Sequence, residues 1–257
     1  MSRDFTDSAY VDLLDTGLQM GYEFLTVRAY VRREQLPERF IVLRHDVDRK
    51  PENSLRFAHI EAERDIASTY YVRTIDKVFG PELIAKLGAL GHEVGYHYED
   101  LDRADGDIED ARRSFGTELE RLRRHATVDT VCMHGNPLTA HDNRDMWDDP
   151  AALEPYGIEG EAYLSMDFTD VTYFSDTGRT WADGDLKIKD HTMGEGDKQV
   201  SASLTAELEG LLRTHSVDRA CLLTHPNRWA DSTPEYVAEA TKDAITNVGK
   251  RGLTLLR

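Results

Sequence analysis

The sequence predicts an α/β fold in which a mostly parallel sheet is covered by helices. Two observations lead to this prediction. Short apolar segments alternate along the chain with amphipathic helical patterns, and four of these segments run into clusters of polar side chains. Because the carboxyl ends of the strands of an α/β barrel meet on one face, the clusters are expected to form an active site there. The 257 residues suffice for one such domain over the whole chain, with long loops around 139–196.

Six short segments rich in apolar or β-branched residues are predicted to be strands: 40–43, 68–72, 93–96, 130–133, 171–174 and 220–223. The clearest helix spans 108–125, where apolar residues recur at spacings of three and four while charged residues fill the other face. Further helices are predicted at 53–64, 81–90, 203–213 and 234–248. This alternation of strands and helices implies parallel strands joined by helical connections.

The chain is strongly acidic, with 31 Lys and Arg residues against 48 Asp and Glu residues and a formal net charge of −17. A field of this sign repels phosphate backbones, which argues against a nucleic-acid-binding protein. Only 8 of the 31 cations are lysines, whereas 28 of the 48 acids are aspartates. This composition favours adaptation to a halophilic cytoplasm, where salt screens the repulsion between carboxylates. An ordinary acidic surface is the alternative.

The same composition predicts a cellular location. No apolar run approaches the ~20 residues that a membrane span needs, and the amino-terminal residues are too acidic for a signal peptide. Cys132 and Cys221 lie in apolar segments, which indicates buried free thiols in a reducing compartment. The protein is therefore expected in the cytoplasm.

Four strand candidates end in polar clusters: Arg44-His45-Asp46-Val47-Asp48, Tyr96-His97-Tyr98-Glu99-Asp100, His134-Gly135-Asn136-Pro137 and Thr224-His225-Pro226-Asn227-Arg228. Asp46 and Asp48 are two residues apart, so both are expected to point to the same side of their strand. A cation would resolve the repulsion between them, because one carboxylate could bind the ion while the other accepts a proton from water. His97 and His134 are suitable ligands for Zn²⁺ or another divalent ion. His225 is a candidate general acid, because histidine titrates near neutral pH.

These motifs resemble the polysaccharide deacetylase (NodB-homology) superfamily, whose first motif here is Leu43-Arg44-His45-Asp46-Val47-Asp48. The segments Gly91-His92-Glu93-Val94-Gly95-Tyr96-His97 and Leu222-Leu223-Thr224-His225 follow in the same chain order. The resemblance implies a distorted (β/α) barrel and metal-assisted hydrolysis of acetylated sugars. It also implies that Asp46 is the catalytic base, that Asp48 and His97 bind the metal, and that His225 assists the leaving group.

Two positions depart from the pattern of this superfamily. Its second metal histidine usually lies four residues after the first, where this chain has Leu101. Glu99, Asp100 and His134 are the candidates for the third ligand, and His134 is the choice adopted here because it ends a different strand. The usual Arg-Pro motif that orients the base is replaced by the segment 132–137.

The predicted substrate-binding residues are those whose side chains suit a sugar: Arg44, Asp170, Asp176, Arg179, Trp181, Asn227 and Arg228. Four of them lie in the segment 167–181, which mixes aromatic rings with hydrogen-bonding groups. A strand with a solvated turn is the alternative for this segment. Asn227 and Arg228 directly follow His225.

The leading functional hypothesis is a metal-dependent hydrolase that resembles carbohydrate N-deacetylases and acts on an intracellular glycan or glycan precursor. A divalent ion, with Zn²⁺ the first choice, would be held by Asp48, His97 and His134. Two alternatives remain: a metal-independent hydrolase of another C–N bond, and a glycan-binding pseudoenzyme. The expected partner is a carbohydrate or small molecule, and the sequence leaves the oligomeric state open.

Overall fold

The computed structural model describes residues 3–192, 198 and 200–256, and the side chains up to residue 251. The strands are, in chain order, β1 (Glu23–Leu25), β2 (Phe40–Val47), β3 (Thr69–Val72), β4 (Glu93–Tyr98), β5 (Thr130–Met133), β6 (Gly160–Glu161), β7 (Thr172–Ser175) and β8 (Arg219–Thr224). They pair in the order β6-β5-β4-β3-β2-β8-β7, and β1 pairs with the first half of β2. Every pairing is parallel. The curled sheet with its flanking helices is a distorted (β/α) barrel, which confirms the predicted fold class.

The α-helices are α1 (Asp7–Gln19), α2 (Val27–Arg32), α3 (Pro51–Ala62), α4 (Pro81–Ala89), α5 (Asp100–Arg103), α6 (Ile108–Arg123), α7 (Thr205–Arg213) and α8 (Thr233–Leu256). Helix α6 shows how the pattern determines the element. The side chain of Asp107 accepts a hydrogen bond from the backbone N–H of Asp110 and caps the helix. Ala111, Phe115 and Leu119 are then buried on the face that the spacing predicts.

All six predicted strands and all five predicted helices are present, but the elements before residue 40 were not predicted. Helix α1 buries Tyr10, Leu13 and Leu14 on one face, while acidic residues between them obscure the apolar periodicity. The predicted loop region 139–196 contains β6, β7 and two short 3₁₀ helices, Asn143–Met146 and Pro150–Tyr156. Residues 193–196 of that region lie outside the described part.

Successive side chains of β2 point alternately into the barrel and toward the surrounding helices. Arg44 and Asp46 point into the barrel, where the Arg44 guanidinium contacts Cys132 of β5. His45 points the other way, and its Nε2 lies 2.9 Å from a carboxylate oxygen of Glu61 in α3. Among the described helices, none combines the length and apolarity that crossing a membrane would require.

Candidate active site

Three side chains from different strand ends converge at the carboxyl edge of the sheet. Asp48 follows β2, His97 belongs to β4, and His134 follows β5. The Oδ1 atom of Asp48 lies 3.4 Å from Nε2 of His97 and 3.5 Å from Nε2 of His134. Their potential ligand atoms all lie within 4.8 Å of one another. The structure thus brings together the three side chains predicted to bind a metal.

The donor set and its surroundings fit a divalent cation. Oδ1 of Asp48 is buried and accepts no hydrogen bond among the described residues, which is costly without another partner. Two imidazole nitrogens and one carboxylate oxygen are a ligand set that Zn²⁺ commonly accepts. Nδ1 of His97 lies 3.0 Å from the Cys132 carbonyl oxygen, and Nδ1 of His134 lies 3.2 Å from Oε2 of Glu99. These second contacts aim Nε2 of both rings at Asp48, as is usual for metal-binding histidines.

The pKa shifts reflect the same convergence. Burial raises the pKa of Asp48, but the neighbouring imidazoles of His97, His134 and His225 outweigh it and hold the pKa well below its usual value. Burial likewise opposes ionisation of Glu99, yet its partners, His134 first among them, lower its pKa. These shifts favour the ionised form of Asp48, which is the form that binds a cation, and of Glu99 beside it.

Glu99 and Asp100, the other two candidates for the third ligand, are each held by partners outside the metal set. Glu99 is held by Arg73 and Arg103 and faces the far nitrogen of His134. Asp100 is fully buried and accepts a hydrogen bond of 2.7 Å from the Tyr96 hydroxyl. Of the three candidates, only His134 presents an atom to Asp48 within the described metal set.

We therefore expect His134→Ala to weaken metal binding by at least ~10-fold, or about 1.4 kcal/mol, because two protein ligands would remain where metal sites ordinarily use three or more. Titration of the chelator-treated protein with Zn²⁺ measures the change. Asp100→Asn is the matched control and should bind the ion as wild type does. Unchanged affinity in His134→Ala together with a loss in Glu99→Gln or Asp100→Asn would assign the third ligand to the segment after β4.

Asp46 lies beside the metal set but is held by a different partner. Its Oδ1 accepts a hydrogen bond of 3.2 Å from Arg44, and its Oδ2 lies 3.6 Å from Nε2 of His97. Arg44 is fully buried, with its guanidinium 4.5 Å from the centre of the Tyr163 ring and hydrogen-bonded to Tyr173 and Cys132. The buried cation keeps one carboxylate oxygen oriented and leaves the other facing the metal set.

His225 approaches Asp48 from the opposite side. Its Nε2 lies 3.8 Å from Oδ2 of Asp48, while its Nδ1 lies 2.6 Å from Oδ1 of the fully buried Asp176. Asp176 also accepts hydrogen bonds from the backbone N–H of His225 (2.9 Å) and from Nε1 of Trp229 (2.7 Å). Burial lowers the pKa of His225, but Asp176 more than compensates and raises it. The geometry suits a proton donor near neutral pH.

A cavity of about 400 Å³ opens over these groups. Asn227 and Arg228 line it, as predicted for substrate-binding residues. Arg44 and Asp176 do not line it, since Arg44 lies buried beside Asp46 and Asp176 lies behind His225. Both support catalytic candidates.

The other three predicted substrate-binding residues lie away from the cavity. Trp181 is fully buried in the core, and its Nε1 donates to the Thr205 hydroxyl. Arg179 lies over the rings of Phe5 and Tyr236. Asp170 precedes β7 and pairs with Arg219 at the amino end of β8, so it lies at the opposite edge of the sheet. The structure does not bring these residues to the site.

Several cavity residues were not predicted. Tyr163 and Asp190 come from the long loops, and Asp243, Thr246 and Lys250 come from α8. Asp190 is partly buried and lies within hydrogen-bonding reach of the hydroxyls of Tyr163, Tyr173 and Ser175. Only the aromatic and acidic composition of the loops hinted at these contacts.

Comparison with solved structures gives several distant matches. A CE4 esterase from Streptococcus mutans has 13% identity and a TM-score of 0.46, with 90% of this chain and 89% of that chain covered. Like this esterase, other structures similar to the present chain are described as family 4 carbohydrate esterases. A second one, from Bacillus anthracis, has 13% identity and a TM-score of 0.38, with 95% and 87% covered.

A CE4 family pseudoenzyme from Bacillus anthracis is also similar, with 13% identity and a TM-score of 0.41. The match covers 85% of this chain and 63% of that one. No protein-family model matches the sequence, and no curated protein matches it. The roles of individual residues therefore depend on their own geometry.

Proposed function

We propose that this protein is a metal-dependent hydrolase that removes the acyl group from an N-acylated sugar, as carbohydrate N-deacetylases do. One observation carries the proposal. Asp46, held by Arg44, and His225, held by Asp176, flank the set formed by Asp48, His97 and His134. An oriented base and an oriented acid on either side of a cation site are what amide hydrolysis requires.

Each group has a separate task in this proposal. Asp48, His97 and His134 would hold a divalent ion, which would supply Lewis-acid polarisation of the amide carbonyl. Asp46 takes a proton from the attacking water, whose oxygen forms the new bond to the carbonyl carbon. His225 gives its proton to the nitrogen as the C–N bond breaks, so the products are a carboxylic acid and a free amine. Arg44 and Asp176 are positioning residues, since they act through Asp46 and His225.

The proposed substrate is an intracellular glycan or glycan precursor. The cavity is of a size suited to a small ligand. The Tyr163 ring at its wall combines an apolar face with a hydroxyl, a combination that suits sugars. The motif resemblance to polysaccharide deacetylases supports the same substrate class.

Acetate release from N-acetylglucosamine oligomers tests the proposal. We expect turnover by the Zn²⁺-loaded protein, loss of turnover after chelation, and recovery when Zn²⁺ is returned. Turnover that persists after chelation would identify the metal-independent hydrolase instead. Binding of the oligomers without acetate release, in protein shown by elemental analysis to contain metal, would identify a glycan-binding pseudoenzyme.

A further inference from the structure

His45 and Thr224 form a contact on the outer face of the sheet, the face that packs against the helices. Nδ1 of His45 lies 2.6 Å from Oγ1 of Thr224, and both residues are fully buried. Each immediately precedes a group of the proposed reaction, since Asp46 follows His45 and His225 follows Thr224. Asp46 and His225 both line the cavity. The contact therefore lies directly behind the proposed base and acid.

The same contact closes the pairing between β2 and β8. The parallel pairing of these strands ends with His45 opposite Thr224, and β8 ends at Thr224. His225 lies just beyond the paired residues, where its backbone N–H donates a hydrogen bond of 2.9 Å to Asp176 from the β7 side. On the β2 side, the adjacent Thr224 is held by His45. The place of His225 relative to β2 therefore depends on this contact.

His45 is itself fixed from the helix layer. Its Nε2 lies 2.9 Å from Oε1 of Glu61 in α3, an electrostatic contact, since this nitrogen makes no regular hydrogen bond among the described residues. The imidazole ring also packs against the ring of Tyr70, with 4.4 Å between the ring centres. Both ring nitrogens thus have a partner, Glu61 for one and Thr224 for the other.

Glu61 is a firm anchor because several elements hold its carboxylate. The hydroxyls of Tyr10 in α1, Ser68 before β3 and Tyr70 in β3 all donate to it. Burial raises the pKa of Glu61, but its neighbours, His45 first among them, outweigh burial and lower the pKa. These contacts favour an ionised carboxylate that attracts Nε2 of His45.

Stability alone does not require a polar network at this place. Replacing a buried ion pair by well-packed apolar side chains is often neutral or stabilising. A buried network whose groups are satisfied instead specifies one arrangement of its members. Such an arrangement matters directly behind an acid and a base, because a misplacement of about 1 Å can cost about 10²-fold in rate.

We propose that His45 and Thr224 are positioning residues whose contact on the outer face of the sheet holds His225 opposite Asp46 on the inner face. This inference rests on the proposed function, because it assigns residues that act through the general acid of that reaction. Neither residue lines the cavity. His45 connects the anchor at Glu61 to Thr224, and Thr224 sets where His225 begins.

Thr224→Val removes the hydroxyl and keeps the β-branched shape of the side chain. We expect it to lower kcat for N-acetylglucosamine oligomers by at least ~10-fold. KM and metal content should stay unchanged, because the cavity wall and the metal set are not altered. Thr224→Ser restores the hydroxyl and should bring kcat to within ~3-fold of wild type. Thermal melts establish that each variant is folded.

The leaving group shows which reacting group the contact serves. Hydrolysis of 4-nitrophenyl acetate releases an anion that needs no proton, so it requires the base but not the acid. Thr224→Val should therefore lower turnover of this ester by less than ~3-fold. Equal losses on the ester and on the amide would overturn the assignment to His225.

His45→Gln tests whether the two residues act together. Glutamine retains an amide that can approach Glu61, but it has no group where Nδ1 of His45 faces Thr224. We expect the loss seen in Thr224→Val, and no further loss in the double variant, because the effects of residues in contact are not additive. Thr69→Val is the matched control. Thr69 is equally buried, and its hydroxyl donates to Glu93 at 2.8 Å at the amino end of β3.

The imidazole resonances of His225 in NMR spectra report its surroundings without any turnover. We expect them to move in Thr224→Val and to keep their wild-type positions in Thr224→Ser and Thr69→Val. Unmoved resonances in Thr224→Val would overturn the inference. So would a kcat that is unchanged in Thr224→Val, or one that falls equally in Thr69→Val.

The two proposals fail in distinguishable ways. If the resonances of His225 stay in place while the wild type releases acetate in a chelator-sensitive manner, the proposed function stands without these positioning residues. If the resonances move but the wild type releases no acyl group from any substrate, the contact does position His225. The hydrolase proposal would then be wrong, and with it the catalytic purpose assigned to the contact.

Discussion

Replacing Asp46 with asparagine is expected to reduce turnover by at least ~10²–10⁴-fold, the usual range for a general base, while metal content stays unchanged. An amide cannot accept the proton from water, but it can still accept the hydrogen bond that Arg44 donates at 3.2 Å. Asp48→Asn, in contrast, is expected to act first on metal content. It removes the charge 3.4 Å from His97 and 3.5 Å from His134, so the bound metal should be lost and turnover with it.

Elemental analysis and acetate release, measured on the same preparations, distinguish the two roles. Asp46 requires this control because its Oδ2 is only 3.6 Å from His97 and a second possible ligand set comprises Asp46, His97 and Cys132. Burial raises the pKa of the Cys132 thiol well above its usual value, which disfavours the thiolate that a metal needs. Metal loss in Asp46→Asn and Cys132→Ser, with full occupancy in Asp48→Asn, would assign the ion to that second set and reverse the roles.

Much of the reacting centre could be predicted because it follows directly from strand periodicity. Asp46 and Asp48 are two residues apart at the end of β2, and both carboxylates lie beside Nε2 of His97, at 3.6 and 3.4 Å. His97, His134 and His225 each lie in or just after a strand, and parallel pairing brings these strand ends to one edge. The local sequence therefore indicates both which residue types form the site and that they lie at the same edge of the sheet.

The supporting contacts could not be predicted in the same way. Asp176 follows β7 and reaches His225 because β7 pairs with β8, although 43 residues separate Ser175 from Arg219. Arg44 was expected to contact substrate, but its position two residues before Asp46 places it on the same interior face, below the cavity. Strand order and depth in the barrel decide both cases, and neither is encoded in a short motif.

The cavity walls depend even more on tertiary packing. Residues 186–190 have no regular element to predict, yet Asp190 lies within hydrogen-bonding reach of the hydroxyl groups of Tyr173 and Ser175 in β7. Helix α8 was predicted from its pattern, but the pattern does not indicate that Asp243 and Lys250 line the site. Those positions depend on ion pairs between α8 and the loops after β2 and β8, such as Lys50 with Glu239 and Arg228 with Asp243.

Asp176→Asn is expected to lower kcat/KM at neutral pH by about 10²-fold or more, because a general acid contributes that much when correctly placed. In the wild type, burial lowers the pKa of His225 and Asp176 raises it above the usual value. Without the negative charge, burial dominates and the pKa of His225 falls. Since His225 must be protonated to act as the acid, activity is lost as pH rises through its pKa. The descending limb of the pH profile should therefore move to lower pH in the variant.

An imidazole titration followed by NMR, alongside the pH profile of kcat/KM, checks both parts of this expectation. The variant should remain folded, although replacing an acceptor of three hydrogen bonds costs on the order of 1–3 kcal/mol of unfolding free energy. Asp218→Asn is the control, because Asp218 precedes the amino end of β8, pairs with Arg39 and is half-exposed. A large loss of activity with an unmoved descending limb would show that Asp176 serves the fold alone. His225 would then not be the acid, and the proton for the departing amine would have to come from another group in the cavity.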